Sequence, residues 1–599
     1  MREHRFRVYL TTLAIVCAGV WVASVITQCV LPPPQDALPS LFANLRFILL
    51  LALLLLLSWE AIRGYVRHIP AVPVSPQPAQ ALVDPITSMQ QPGWSGPRAQ
   101  VFIGCLVLTG LLAIRAMTAT PFLCDEGIWN YVAHAWRHFG LLPYLGTLEN
   151  KTPGIFYLFY LSDLCFGVTW WFPRLLGVIT TGLTGWGIYA LAARVRGHAT
   201  GMAALTIFGL TSTSNMMGAQ ASSETETFMI GFTVLAANLL FIALRSDQPR
   251  RSVRLLLLVG LCLGGAIAFK QVAIFSVAGL CCLYFSLRPP ARTGAMVIRD
   301  LSLVAAGVLL ATALSLVPLL LNHVHFCDYL HGAWTILSAP GSSAPSLEVR
   351  FARANRVLET VDFQLFLPMI LVLLALYGTM KKQALPIAGL IGWLLCEFVA
   401  ANASGAYFGH QMRQFLPPLA LVAALTLATL VNWRWSGQAL SSPYPALFGV
   451  IVITLWFPCW LTDDHREKDD ALWKTVHWID AHTTPRDYVY TVTSGDGTPV
   501  LAFAQRPAPS RHFTQYFLGI PGGEEELRRD LTRRPPSYLL LPVDKLMSSL
   551  PTREVSPWLI KMAKRDYQLE TTITYPLRTT YDKVDIGFYV YRRIRSMHQ

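Results

Sequence analysis

A polytopic α-helical membrane protein of about thirteen spans, with a small α/β domain outside the membrane at its C-terminal end, is the fold class this sequence predicts. Three observations predict it. Of 599 residues, 53% are hydrophobic and only 14% charged, whereas a soluble globular chain carries roughly 25% charged residues. The apolar residues gather in runs close to the ~20 needed to cross a hydrocarbon core ~30 Å thick. From Asp463 the runs stop, and the chain takes on the composition of a soluble domain.

The formal charge of +13 could suggest a nucleic-acid partner. The Lys and Arg, however, are scattered between apolar runs, which fits membrane orientation and not a binding stripe; no nucleic acid is expected. None of the 11 Cys follows Asp463 and no CxxC pair occurs, which excludes a disulfide framework in the terminal domain and a Cys-based zinc or redox motif. Met1 to Arg7 is basic and precedes an apolar run, as in a secretion signal. The run ends in QCVLPPP without a small-residue cleavage site, so a retained span is expected.

In chain order, Val8 to Leu31 and Leu45 to Ile62 form a hairpin whose basic flanks, Arg2 to Arg7 and Arg63 to His68, lie in the cytoplasm by the positive-inside tendency. Residues 1–63 are therefore an N-terminal hairpin and 64–98 a Pro-rich cytoplasmic linker. Val101 to Met117 leaves the cytoplasm and delivers Asp125 and Glu126 to the outer side. Ile128, Val132, Ala135, Trp136 and Phe139 then recur at helical spacing, as in a helix lying along the membrane surface. Trp170 to Ala193 returns to Arg194 and Arg196, Met202 to Leu210 exits, and Phe228 to Leu244 returns to Arg245. Leu255 to Phe269 and Val272 to Leu287 read as two short passes with Lys270 outside, since Arg254 and Arg288 flank the pair on one side. Leu301 to Leu321, Leu365 to Met380, Pro386 to Val399, Phe415 to Val431 and Ala446 to Leu461 complete the set. The transmembrane domain thus covers 99–461, with outer loops at 118–169 and 322–363, and the outer domain covers 462–599. In the outer domain Leu472, Val476 and Ile479 mark a helix stripe. Tyr488 to Val492, Ser537 to Leu541 and Gly587 to Tyr591 read as strands, and Glu524 to Asp530 as a helix.

This topology collects Arg115, Asp125, Glu126, Lys151, Glu224, Glu226, Lys270, His410 and Arg413 at the outer edge. Charges where spans meet water are candidates for chemistry: a carboxylate can take a proton from an acceptor, and cations can hold a phosphate leaving group. Most of them also have a plainer reading. Asp125 and Glu126 would suit the N-terminus of the helix that follows, Glu224 and Glu226 could cap Phe228 to Leu244, Arg115 could snorkel, and a lone His410 is more often structural. Trp170 and Trp171 read as an interface belt, and Arg350, Arg353 and Arg356 as a solvated helix face. Lys270, in a very short turn between short spans, is harder to explain in this way.

Starting at CDEGIW, the chain resembles the C-type membrane glycosyltransferases that use polyprenyl-phosphate sugars, specifically the protein O-mannosyltransferase and lipid A aminoarabinose transferase group. The acidic pair of that family matches Asp125 and Glu126. Its Lys-Pro element is similar to ENKTPGIFYL, with Lys151 at the lysine and Thr152 where a second proline is common. TETFMIGF selects Glu226 over Glu224, AFKQVAIF places Lys270, and GHQMRQFLPPLAL places His410 and Arg413. The opening hairpin and linker depart from the family pattern, in which the acidic loop follows the first span.

The resemblance implies a C-type fold and inverting transfer of a sugar from a polyprenyl-phosphate donor to a hydroxyl or phosphate of a protein or cell-envelope glycolipid at the outer face. Asp125 would be the general base and Glu226 a second acid. Glu126 would orient Asp125 or share a divalent cation with it, while Lys151, Lys270, His410, Arg413 and Arg115 would face the donor phosphate. A bacterial inner membrane is the expected location. A transporter or lipid flippase gated by the same charges, or a receptor in which Glu397 is structural, are the rival readings. Against the transporter stand the lack of an inverted repeat or a matching pair of broken spans and the presence of a terminal outer domain, whereas in the receptor reading that domain would bind a partner.

Overall fold

The computed structural model describes residues 122–212, 223–338, 385–403, 408–434, 466–491, 497–514, 517–543, 557–578 and 583–594, with single positions between 102 and 116 and between 348 and 372. The first two expected spans, the linker and Ala446 to Leu461 lie outside the described residues, as do most positions of Val101 to Met117 and Leu365 to Met380.

Two helices open the described chain, α1 (Cys124–Phe139) and α2 (Pro153–Phe166), followed by α3 (Trp171–Arg196) and α4 (His198–Ser212). Next come α5 (Thr225–Arg245), α6 (Pro249–Phe269), a 3₁₀ turn at Gln271–Ala273, α7 (Ile274–Leu287) and α8 (Gly294–Leu321). A short α9 (Phe326–Ala333), α10 (Leu385–Ala403), a 3₁₀ stretch at Gly409–Phe415 and α11 (Leu416–Arg434) complete the bundle. Among the described residues five helical stretches are long and apolar enough to cross a membrane: Trp171–Arg196, Thr225–Arg245, Pro249–Phe269, Gly294–Leu321 and Gly409–Thr429. Three shorter apolar helices, Pro153–Phe166, Gln271–Leu287 and Ile387–Ala403, accompany them. The chain is a multi-pass helical membrane protein.

Hydrogen bonds show which helix ends share a level. At one end Ser252 Oγ donates to Ala243 O at 3.0 Å and Arg292 reaches the same carbonyl at 3.4 Å. Asp300 there accepts from Tyr284 OH at 3.0 Å and pairs with Arg292. The end of α5, the start of α6, the end of α7 and the start of α8 therefore meet. At the opposite end Lys270 pairs with Glu226, at the start of α5. α6 and α7 are thus two passes joined at Lys270. α6 and α8 run parallel, with Gly260 against Val304 and Gly307, and Gly264 against Val308 and Ala311. One expectation changes in length: the pass ending at Phe269 starts at Pro249 and spans 21 residues, because Arg250, Arg251 and Arg254 continue the helix beyond the apolar run.

The surface-helix expectation for α1 is corrected. Every residue from Glu126 to Ala135 is buried, since α1 packs between α2 on one side and the terminal domain on the other. Phe122 meets the rings of Trp473 and Phe503 at 4.9 and 5.3 Å. Tyr131 OH accepts from the Ala508 amide at 2.6 Å. At Gly127 a methyl group would come within 2.5 Å of Pro499 Cγ, so glycine lets the two segments touch.

The terminal domain is α/β. α12 (Arg466–His482) buries Leu472, Val476 and Ile479, the stripe read from the sequence. β1 (Val489–Thr491), α13 (Gly497–Ala504), α14 (Gly523–Arg533), β2 (Tyr538–Pro542), α15 (Pro557–Asp566), β3 (Tyr567–Arg578) and β4 (Lys583–Arg593) follow. The sheet order is β1-β2-β4-β3, with β1 parallel to β2 and the other pairs antiparallel. β3 escaped the sequence reading because its polar residues, Gln568, Glu570, Thr571 and Thr572, carry little strand hydrophobicity.

Candidate active site

The end of the bundle that holds Lys270 gathers charged residues from five separate segments. Asp125 and Glu126 lie in the first turn of α1, whose dipole favours acids there. Glu149 and Lys151 come from the loop before α2, and Glu224 and Glu226 from the start of α5. Lys270 breaks the helix between α6 and the 3₁₀ turn, with φ −155° and ψ 131°. His410 and Arg413 come from the 3₁₀ stretch before α11.

Close backbone packing brings the loop of Lys151 to Lys270. Gly154, in the first turn of α2, sits against the end of α6, where a methyl group would lie 2.6 Å from Ala268 O. Gln271 donates from one amide to Asn150 O and to Ala333 O, tying the loop to α9. Tyr144 OH donates to Lys151 O at 2.7 Å.

Within this frame the charges pair selectively. Lys151 Nζ donates to Glu149 Oε1 at 3.3 Å and to Asn150 Oδ1 at 2.9 Å. Lys270 donates to Glu226 Oε1, and Glu226 Oε2 accepts from Thr225 Oγ1 at 2.8 Å. His410 Nε2 lies 3.9 Å from the same Glu226 carboxylate. Arg413 is buried and donates to Thr227 Oγ1 at 2.6 Å. Asp125 is half-buried, and no other described residue makes a direct ion pair with it.

Asp125, Glu224 and His410 each offer one ligand atom, all within 4.8 Å of one another. Two carboxylates and an imidazole suit a divalent cation of the Mn²⁺ or Zn²⁺ kind. Glu126, expected to orient Asp125 or to share a divalent cation with it, is not part of this group of three and makes its hydrogen bonds with Arg174 and Ser223. Its carboxylate accepts from Arg174 Nε at 2.9 and 3.0 Å, from Nη2 at 2.6 Å, and from Ser223 Oγ. The helical turn points adjacent residues about 100° apart, so Asp125 faces the cluster and Glu126 faces α3.

Burial, reinforced by negative Asp125, Glu226 and Glu126, holds the Glu224 carboxyl well above the usual carboxylate range. Burial also raises Glu149, with Lys151 offsetting part of the effect. Burial opposes the charge on Lys151, yet Glu149 and Asp125 outweigh it and raise its pKa. Lys151 and Lys270 are matched by Glu149 and Glu226, which leaves Asp125 and Glu224 as the acids beside His410.

Arg115 lies outside the described residues, as does Arg356. Glu224, Glu149 and Arg174 are the members of this region that the sequence reading did not select. Glu224 was within reach, since it falls two residues before Glu226. Arg174 gave no signal, because an arginine in the first turn of a span reads as interfacial.

Residues 150–318 match the sequence profile of the family described as Dolichyl-phosphate-mannose-protein mannosyltransferase. Sequence comparison with curated proteins returns no match. In fold, the chain is similar to ArnT from Cupriavidus metallidurans bound to undecaprenyl phosphate, with a TM-score of 0.55 at 15% identity over 81% of this chain and 97% of that one. ArnT from the same organism in the apo state gives a TM-score of 0.55 at 14% identity over 83% and 97%. The chain thus resembles the ArnT and protein mannosyltransferase group of C-type membrane glycosyltransferases, in fold along most of its length and in sequence over the matched segment.

Proposed function

We propose that this protein is a membrane glycosyltransferase that moves a sugar from a polyprenyl-phosphate donor to an acceptor at the outer face of the membrane. The observation that carries the reading is the convergence of Asp125 and Glu224 with Lys151, Lys270 and His410 at one end of the bundle. That convergence occurs on a fold shared with a protein whose structure contains undecaprenyl phosphate.

In this reading Asp125 accepts the proton of the acceptor hydroxyl as its oxygen attacks the anomeric carbon. The bond from that carbon to the phosphate oxygen breaks, and the phosphate leaves with the electron pair. A single displacement of this kind inverts the anomeric centre. Lys151 and Lys270 bind the leaving phosphate by exchanging Glu149 and Glu226 for it, which keeps both ammonium groups desolvated but paired until the donor arrives. His410 adds to this pole, and Arg413 holds the 3₁₀ stretch in place through Thr227. Asp125, Glu224 and His410 would hold a divalent cation, whose charge would help neutralise the phosphate. Glu226 serves as the counter-ion of Lys270 and secondarily as the acid nearest the acceptor. The acceptor is a hydroxyl or phosphate of a protein or envelope glycolipid, and the location a bacterial inner membrane with the terminal domain outside.

The test is incubation of purified protein with labelled polyprenyl-phosphate sugar and envelope extract. Transfer or slow hydrolysis that disappears in Asp125→Asn is expected. Donor binding without turnover would overturn the reading in favour of a lipid carrier.

A further inference from the structure

We propose that His134, His138 and Asp163 form a second binding site, for a divalent transition-metal ion of the zinc type, which ties α1 to α2. The three residues stand apart from the charged cluster. Nine residues separate Asp125 from His134 along α1, about 13 Å at the helical rise.

His134 and His138 are four residues apart on one helix, the spacing that puts two imidazoles on the same face. Their rings stack with centroids 4.3 Å apart. Asp163, from the last turn of α2, reaches both of them. His134 Nδ1 lies 3.2 Å from Asp163 Oδ1, and His138 Nε2 lies 3.3 Å from Asp163 Oδ2. One ligand atom from each residue falls within 4.8 Å of the other two. A tetrahedral zinc with bonds of about 2.0–2.1 Å places its ligand atoms about 3.3 Å apart, and each imidazole lies near that distance from one of the two Asp163 oxygens. Asp163 and His134 are buried, while the His138 side chain is 43% exposed. A fourth position would therefore open toward water.

The Asp163 carboxylate has three neighbours, His134 on one oxygen and Arg137 and His138 on the other. Arg137 Nη1 already gives Asp163 a cationic partner, 2.6 Å from its carbonyl oxygen and 3.1 Å from Oδ2. The two histidines are therefore not needed to neutralise the acid. Arg137 would remain as the outer partner that orients Asp163, and its charge would moderate the affinity. The consequence is mechanical. A metal bridge would fix the far end of α1 on α2, and α1 is the helix whose first turn carries Asp125.

The experiment uses untagged full-length protein in detergent, stripped with chelator and titrated with Zn²⁺ and, in parallel, Co²⁺. Wild type should bind Zn²⁺ with a rise in melting temperature and show visible Co²⁺ absorption bands. His138→Ala, a change at an exposed position, should lose one equivalent or weaken it by more than about tenfold, since even an outer-shell change costs that much. Glu224→Gln should keep that equivalent, which separates it from any cation held near Asp125. Equal zinc uptake and equal melting shifts in wild type and His138→Ala, or no uptake by wild type, would overturn the proposal and leave a hydrogen-bonded ion network only.

Discussion

Glu126 and Arg174 form a fully buried ion pair that joins the first turn of α1 to the first turn of α3, with Arg174 Nη1 also donating to Ala116 O at 2.7 Å. Ser223 Oγ donates to the same Glu126 carboxylate, so the pair and this hydroxyl together anchor the turn that carries Asp125. Arg174→Ala leaves an unpaired carboxylate in the interior, which typically costs about 3–5 kcal/mol. The double variant Glu126→Gln with Arg174→Gln removes both charges and should recover part of that loss. Melting of detergent-solubilised protein checks this: equal stability of Arg174→Ala and wild type would mean the pair is not structural.

Asp125 has a different fate from its neighbour, and the contrast is measurable. Replacing a positioned general base typically costs about 10² to 10⁴ in rate. Asp125→Asn should lower transfer by that order while leaving the melting temperature near wild type, since its side chain is only half-buried. Glu126→Gln should do the reverse, losing stability first. A rate assay run beside a melt on both variants decides it, and a shared phenotype would refute the division of labour.

The helical architecture and several residues of the charged cluster were legible in the sequence because each rests on a local signal. Apolar runs bounded by arginines gave the passes from Trp171 to Leu321, and Lys270 between Arg254 and Arg288 implied a turn, not a buried lysine. The terminal domain was legible where a stripe or strand was apolar, as at Leu472, Val476 and Ile479, and illegible at the polar β3. What failed was long-range. No local pattern tells that Arg174 reaches back 48 residues to Glu126, or that α13 covers α1 and turns a would-be surface helix into a buried one. Adjacent acids also look equivalent in a sequence; only the helix, by turning them apart, assigns Asp125 to the cluster and Glu126 to the frame.

Lys270 and Glu226 make a second test of pairing, this time with a ligand in view. Lys270→Ala removes the cation and leaves Glu226 buried without its partner, so stability and donor affinity should both fall. Adding Glu226→Gln should restore stability toward wild type, since the stranded charge is gone, but should leave the donor requirement raised. Donor titration of turnover in single and double variants reads this out. Recovery of donor affinity in the double variant would mean that Lys270 serves Glu226 alone and does not meet the phosphate.

Glu224 predicts how stability depends on pH. Its carboxyl is held well above the ordinary 4.5 by burial and by Asp125, Glu226 and Glu126. The folded protein therefore binds a proton there that the unfolded chain releases, and stability falls as pH rises from about 4.5 toward the raised folded value. Melts should be run with chelator present, because a cation bound by Asp125, Glu224 and His410 would compensate the same charge. Wild type should lose stability across that window, Glu224→Gln should lose less, and added Mn²⁺ or Zn²⁺ should restore wild type at the upper end but not the variant. Parallel curves for the two proteins, with and without metal, would show that Glu224 neither carries the proton nor holds the cation.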